Sequence, residues 1–138
     1  MKTAHWHALL LTGAGVMHFK SPQVYDAIVP RSLPGNARTY TLVSGAAELA
    51  IAAGLALPLT RRLAGLAASA LYLAVFPANI KMAVDYRKEG KPALAQALAY
   101  ARLPLQIPLI RGAWRVFRGK EGPQLLTCFP SAASRPGG

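Results

Sequence analysis

Four apolar stretches of near-membrane length, at about residues 4–19, 41–59, 63–80 and 93–110, constrain this chain more than any other feature. A bilayer core of about 30 Å takes about 20 helical residues to cross, within a range of roughly 17–25. The stretches sit at the short end of that range. Charged residues flank them: Lys2, Lys20, Arg61, Arg62, Lys81 and Arg111. Hydrophobic residues make up 53% of the 138, charged residues 15%, and the mean hydropathy is +0.27. That is too apolar for a basic water-exposed domain of this size, unless the runs are buried in lipid. The pattern predicts a small polytopic membrane protein. The first run reads as a retained span rather than a signal peptide, because no small-x-small cleavage site precedes a polar mature start.

The net charge of +11 raises nucleic acid as a partner. Its distribution argues against that reading. The 16 Lys and Arg cluster between the apolar runs and in the segment Arg111–Lys120. Basic residues at a membrane surface attract anionic headgroups at about 1 kcal/mol each. The partner expected is therefore a lipid bilayer, and no nucleic acid. The single cysteine, Cys128, forms no intramolecular disulfide and no C-x-x-C pair, so the chain cannot itself do dithiol chemistry. With the N-terminus inside, basic residues divide almost evenly between the two sides, so the positive-inside rule gives little direction. Both termini are expected in the cytoplasm, in a bacterial plasma membrane.

Ser21-Pro22 starts a short helix and Pro30 stops it. Val24, Tyr25, Ile28 and Val29 give it an apolar face, as a lid on the bundle or an interfacial turn. Ala46, Ala50 and Gly54 recur at four-residue spacing, a small-residue face that predicts close contact with another helix. Pro77 near the end of the third run, with Pro104 and Pro108 in the fourth, predicts kinks. Lys81–Lys91 reads as a solvated loop. After Lys120 the chain is rich in Pro, Gly and Ser and reads as disordered. The domain plan is a bundle over 1–120 and a tail over 121–138.

The polar residues inside the runs carry the functional reading. Ionisable groups in hydrocarbon are costly and default to a function. Measured from the face bearing the first and third loops, Glu48 lies about 10 Å deep and Arg102 about 14 Å. The two are expected to pair, either as a site or only as a brace of helix register. His18 and Asn79 lie near the same face, and Gln106 is one turn beyond Arg102. His18, Glu48, Asn79, Arg102 and Gln106 are thus expected to line one polar cavity, with the Ser21–Val29 helix over it. No metal set and no catalytic residue are read here. His5 and His7 fall on the opposite side from His18.

The motifs Gly15-Val16-Met17-His18-Phe19, Ile28-Val29-Pro30, Leu33-Pro34, Ser44-Gly45-Ala46-Ala47-Glu48, Phe76-Pro77-Ala78-Asn79-Ile80 and Arg102-Leu103-Pro104-Leu105-Gln106 come in an order that resembles the small DoxX-like membrane proteins. The likeness covers about residues 9–115. It implies an all-α, four-helix transmembrane bundle with a short interfacial helix after the first span. It implies an accessory subunit of a membrane-associated redox or quinone-linked system, with quinone as the cofactor to look for and a membrane oxidoreductase or another transmembrane protein as partner. Related members include subunits near superoxide defence and thiol homeostasis. The alternatives are a membrane-protein assembly factor or chaperone, and then a small-molecule transporter. A homo-oligomer is compatible with all three. No catalytic motif carries over, so the reading leans away from an enzyme acting alone.

Overall fold

Turn chemistry divides the chain before packing does. A computed structural model describes residues 3–120, and within them five helices form: α1 (Thr3–Lys20), α2 (Pro22–Asp26), α3 (Ala37–Ala56), α4 (Arg61–Lys88) and α5 (Ala93–Phe117). Pro22 occupies the first turn of α2, where a missing N–H costs nothing. Asn36 caps α3, its side-chain oxygen accepting from Arg38 N at 2.9 Å. Helices α4 and α5 end alike. Gly90 and Gly119 take φ of +61° and +68°, and the residue after each bonds back to a carbonyl five positions earlier, Lys91 N to Tyr86 and Lys120 N to Arg115. This double-bonded stop needs a left-handed residue, which glycine supplies without strain.

Each long helix buries one stripe. In α1 it is Ala4, His7, Leu11, Gly15 and His18; in α3 it is Thr41, Gly45, Glu48, Ala52 and Leu55. Steps of three and four keep such a stripe on one face of a helix. The α1 and α3 stripes meet where a Cβ on Gly15 would lie 3.0 Å from the Gly45 carbonyl oxygen. Likewise α4 meets α5 at Gly65, where a Cβ would lie 2.7 Å from Phe117 N. The main core joins Leu11, Ala52, Leu55, Ala68, Tyr72, Ala113 and Val116 across these helices, and a smaller one joins Met82, Ala83 and Ala99.

The four-span transmembrane fold is corrected by this architecture. There are five helices among the described residues, and only Ala37–Ala56 and Arg61–Lys88 are long and apolar enough to cross a membrane. Helix α1 is interrupted by Thr3, His5, His7, Thr12 and His18, and α5 by Gln96, Arg102, Gln106 and Arg111. Two such helices also occur in the cores of self-packed bundles, so they do not carry a four-span reading. The bilayer as partner, the membrane oxidoreductase or other transmembrane partner, and the plasma-membrane placement rested on four spans and fall with them. Large apolar side chains such as Leu9, Val43, Leu63 and Leu94 nevertheless face outward.

Two local expectations are also corrected. Most of the stretch read as a loop from Lys81 to Lys91 is helical, because α4 runs through Pro77 to Lys88. Met82 and Ala83 are buried there, and Lys81 pairs with Asp85 one turn on at 2.5 Å, the spacing at which opposite charges support a helix. The packed face of α3 is not the Ala46, Ala50, Gly54 row, since Ala46 and Ala50 are exposed. Gly54 alone of the three closes on a neighbouring helix, at Ala64. The tail read as disordered lies outside the described residues, as does Cys128.

Candidate functional site

His18 and Glu48 share the contact between α1 and α3. His18 Nδ1 lies 3.2 Å from Glu48 Oε2 and 2.9 Å from the Ala14 carbonyl oxygen. Two oxygen acceptors around one ring nitrogen require that nitrogen to carry hydrogen. Its bond is made to Ala14, and Glu48 Oε2 is left buried with no hydrogen bond in the structure. Glu48 is 7% exposed. A buried acceptor without a donor is costly and is the kind of atom that marks a site.

Burial by itself disfavours the charged His18 ring. The Glu48 carboxyl and the Ala14 carbonyl outweigh it, and His18 is pushed above its ordinary 6.5. A raised histidine pKa contributes stability that is complete below pH 6.5 and is lost as pH climbs through the folded value. NMR titration of the His18 ring is expected to give a midpoint above 6.5, and Glu48→Gln to lower it. An unmoved midpoint in that variant would assign the shift to some other group.

Tyr25 of α2 stacks on the His18 ring, with ring centroids 3.7 Å apart and planes at 27°. Helix α2 is tied down by Asp26, which accepts from Thr41 Oγ1 at 2.6 Å and from Arg38 Nε at 2.8 Å. These bonds hold the Asp26 carboxyl below the usual carboxylate range, the Thr41 hydroxyl most of all. Lys81 adds a bond to the Ala27 carbonyl at 3.1 Å.

Beyond Tyr25 lies a cleft of 260 Å³ between α2, α4 and α5. Val24, Ile28, Met82, Leu98 and Ala99 give it apolar walls, Tyr25 and Tyr86 bring phenols, and among the described residues Arg102 is the one charged residue lining it. Arg102 is exposed, and no ion pair joins it to Glu48 or to any other residue among those described. The Glu48–Arg102 pair expected from depth is thus replaced by His18–Glu48. Arg102 is still close enough to Tyr25 to ease the ionisation of its phenol, which burial and Glu48 oppose. A wider cleft of 720 Å³ lies near Asp26, Arg31, Lys81, Asp85 and Glu89. Asp26 pairs with Arg38, Lys81 with Asp85 and Glu89 with Lys91, so its acids already have partners.

Asn79 and Gln106 form a second group. Asn79 Nδ2 donates to Gln106 Oε1 at 3.2 Å, and Gln106 Nε2 donates to the Tyr72 carbonyl. The Tyr72 hydroxyl in turn meets His7 Nδ1 at 3.0 Å. His7 is 3% exposed, and burial lowers its pKa. The sequence placed Tyr25 only on the apolar face of the short lid helix, and it passed over the His7–Tyr72 pair. The signal for His7 was present in its spacing: residues 7, 11, 15 and 18 form one helical stripe. The stacking of Tyr25 on His18 gave no comparable signal, because it is set by how α2 folds back.

No group of three His, Cys, Asp or Glu side chains able to hold a metal exists among the described residues. The redox or quinone-linked subunit, the assembly factor or chaperone and the transporter all presupposed a four-span membrane bundle, and the two span-length helices do not supply it. Residues 7–117, most of the chain, match a family model described as Domain of unknown function (DUF8561). This match replaces the likeness to DoxX-like proteins. No curated protein and no solved structure matches the chain.

Proposed function

We propose that this chain, which belongs to that family, is a binding protein for a small apolar molecule held between α2, α4 and α5. The observation that carries the reading is the cleft itself: apolar walls, one unpaired guanidinium at Arg102, and Tyr25 separating it from a buried His18–Glu48 pair. An apolar pocket with a few convergent polar groups is the usual plan of a small-ligand site. At 260 Å³ the cleft falls just below the usual range of roughly 300–1,000 Å³, which favours a small ligand over a dinucleotide-sized cofactor.

In this reading Arg102 meets the ligand. His18 and Glu48 stand behind Tyr25, paired with each other. Asn79 and Gln106 brace α4 against α5. Helix α2 has five residues and is held largely by side-chain bonds, so it is the cheapest element to displace when a ligand enters.

Methionine methyl NMR tests the reading directly. Met82 lines the cleft and Met17 is exposed on α1, so one is the probe and the other the control. Small apolar compounds such as octanol are expected to shift the Met82 methyl saturably and leave Met17 in place. Equal movement of both signals, or none at Met82 across such compounds, would exclude the cleft as a binding site.

A further inference from the structure

Resting on the cleft reading, we infer that its ligand is an amphipathic carboxylate, with a short apolar chain between α4 and α5 and the carboxylate on Arg102. Charge complementarity carries the assignment. No Asp or Glu lines the cleft, and Arg102 has no ion-pair partner among the described residues. A guanidinium beside apolar walls offers a planar fork of donors that matches a carboxylate with two parallel hydrogen bonds. An ammonium ligand would meet repulsion there. A neutral ligand such as an alcohol would offer the fork one hydrogen bond and no opposite charge to meet.

Size and field point the same way. The cleft's 260 Å³ lies just below the usual range for small-ligand pockets, which suits a short-chain acid. The chain carries 16 Lys and Arg against 5 Asp and Glu, a field that draws anions from a distance. Glu48 lies behind the Tyr25 ring and is engaged with His18.

The test uses octanoate, octanol and octylammonium at pH 7, read by the Met82 methyl signal and by calorimetry on the full chain. Octanoate is expected to bind most tightly and octylammonium least. Arg102→Gln should weaken octanoate about ten- to hundred-fold, the worth of a charge-assisted bond, and leave octanol unchanged. Arg102 is exposed, so the variant is expected to melt with the wild type. Filling the cleft with Ala95→Leu should weaken octanoate and octanol together. Equal affinity for octanoate and octanol, or an Arg102→Gln loss shared by both, would overturn the carboxylate assignment while leaving the cleft as a site. Failure of all three compounds to move Met82 would instead overturn the binding reading on which it rests.

Discussion

Gly65→Ala is expected to destabilise the protein by about 1–2 kcal/mol, while Gly13→Ala stabilises it by about 0.5–1 kcal/mol. Both glycines lie inside helices, so both replacements gain the same intrinsic helix preference, up to about 1 kcal/mol. What differs is the space. A Cβ on Gly65 would lie 2.7 Å from Phe117 N and 3.0 Å from the Ala113 carbonyl oxygen, both rigid backbone atoms. Relieving that overlap requires α4 and α5 to separate, which loses more than the helix preference supplies. A Cβ on Gly13 meets nothing within 4 Å. Thermal melting checks the pair, and the two variants should move in opposite directions. A stabilised Gly65→Ala would mean that the helices do not pack at this distance.

Tyr72→Phe is expected to cost about 1–3 kcal/mol, the penalty for leaving one buried polar atom unpaired. The atom is His7 Nδ1, which lies 3.0 Å from the Tyr72 hydroxyl. That hydroxyl stays protonated, since burial and the charge of Glu48 push its pKa up to about 12. His7→Leu orphans the hydroxyl instead, so the double variant should lose less than the sum of the singles. Additive losses would show that the two groups do not depend on each other. The pair also gives a pH signature. Burial lowers the folded pKa of His7 from 6.5, so its contribution is complete above pH 6.5 and is lost as pH falls through the folded value. Acid should therefore destabilise the wild type through His7, opposite in sign to His18, and His7→Leu should remove that part of the acid loss.

The start of α2 was legible because its signal is local: Pro22 has no N–H to leave unsatisfied, and its fixed φ suits a first helical turn. Asn36, Gly90 and Gly119 act just as locally, through hydrogen bonds within five positions, but were not read as helix caps. The stretch 81–91 was misread because its charges look solvated in isolation. On a helix they share out: Lys81 pairs with Asp85, while Met82 and Ala83 turn toward Ala99. The four-span reading failed for a related reason. Length was not the obstacle, since α1 has 18 residues and α5 has 25; the polar residues along both leave neither apolar enough to cross a membrane.

Within the site, the sequence marked His18, Glu48, Asn79, Arg102 and Gln106 as polar groups in apolar runs, a property of each residue's own neighbours. By itself it determined that the chain is all helical, roughly where the long helices start, and which polar residues would be costly to bury. Tertiary structure alone decided the partners. Glu48 meets His18 because Gly15 and Gly45 let α1 and α3 touch, and Asn79 meets Gln106 across α4 and α5. Arg102 is left on the cleft because α2 folds back with Tyr25 between it and His18. Depth along a helix follows from counting residues, but rotation about its axis and the choice of neighbour follow from close packing between distant segments, which no local pattern encodes.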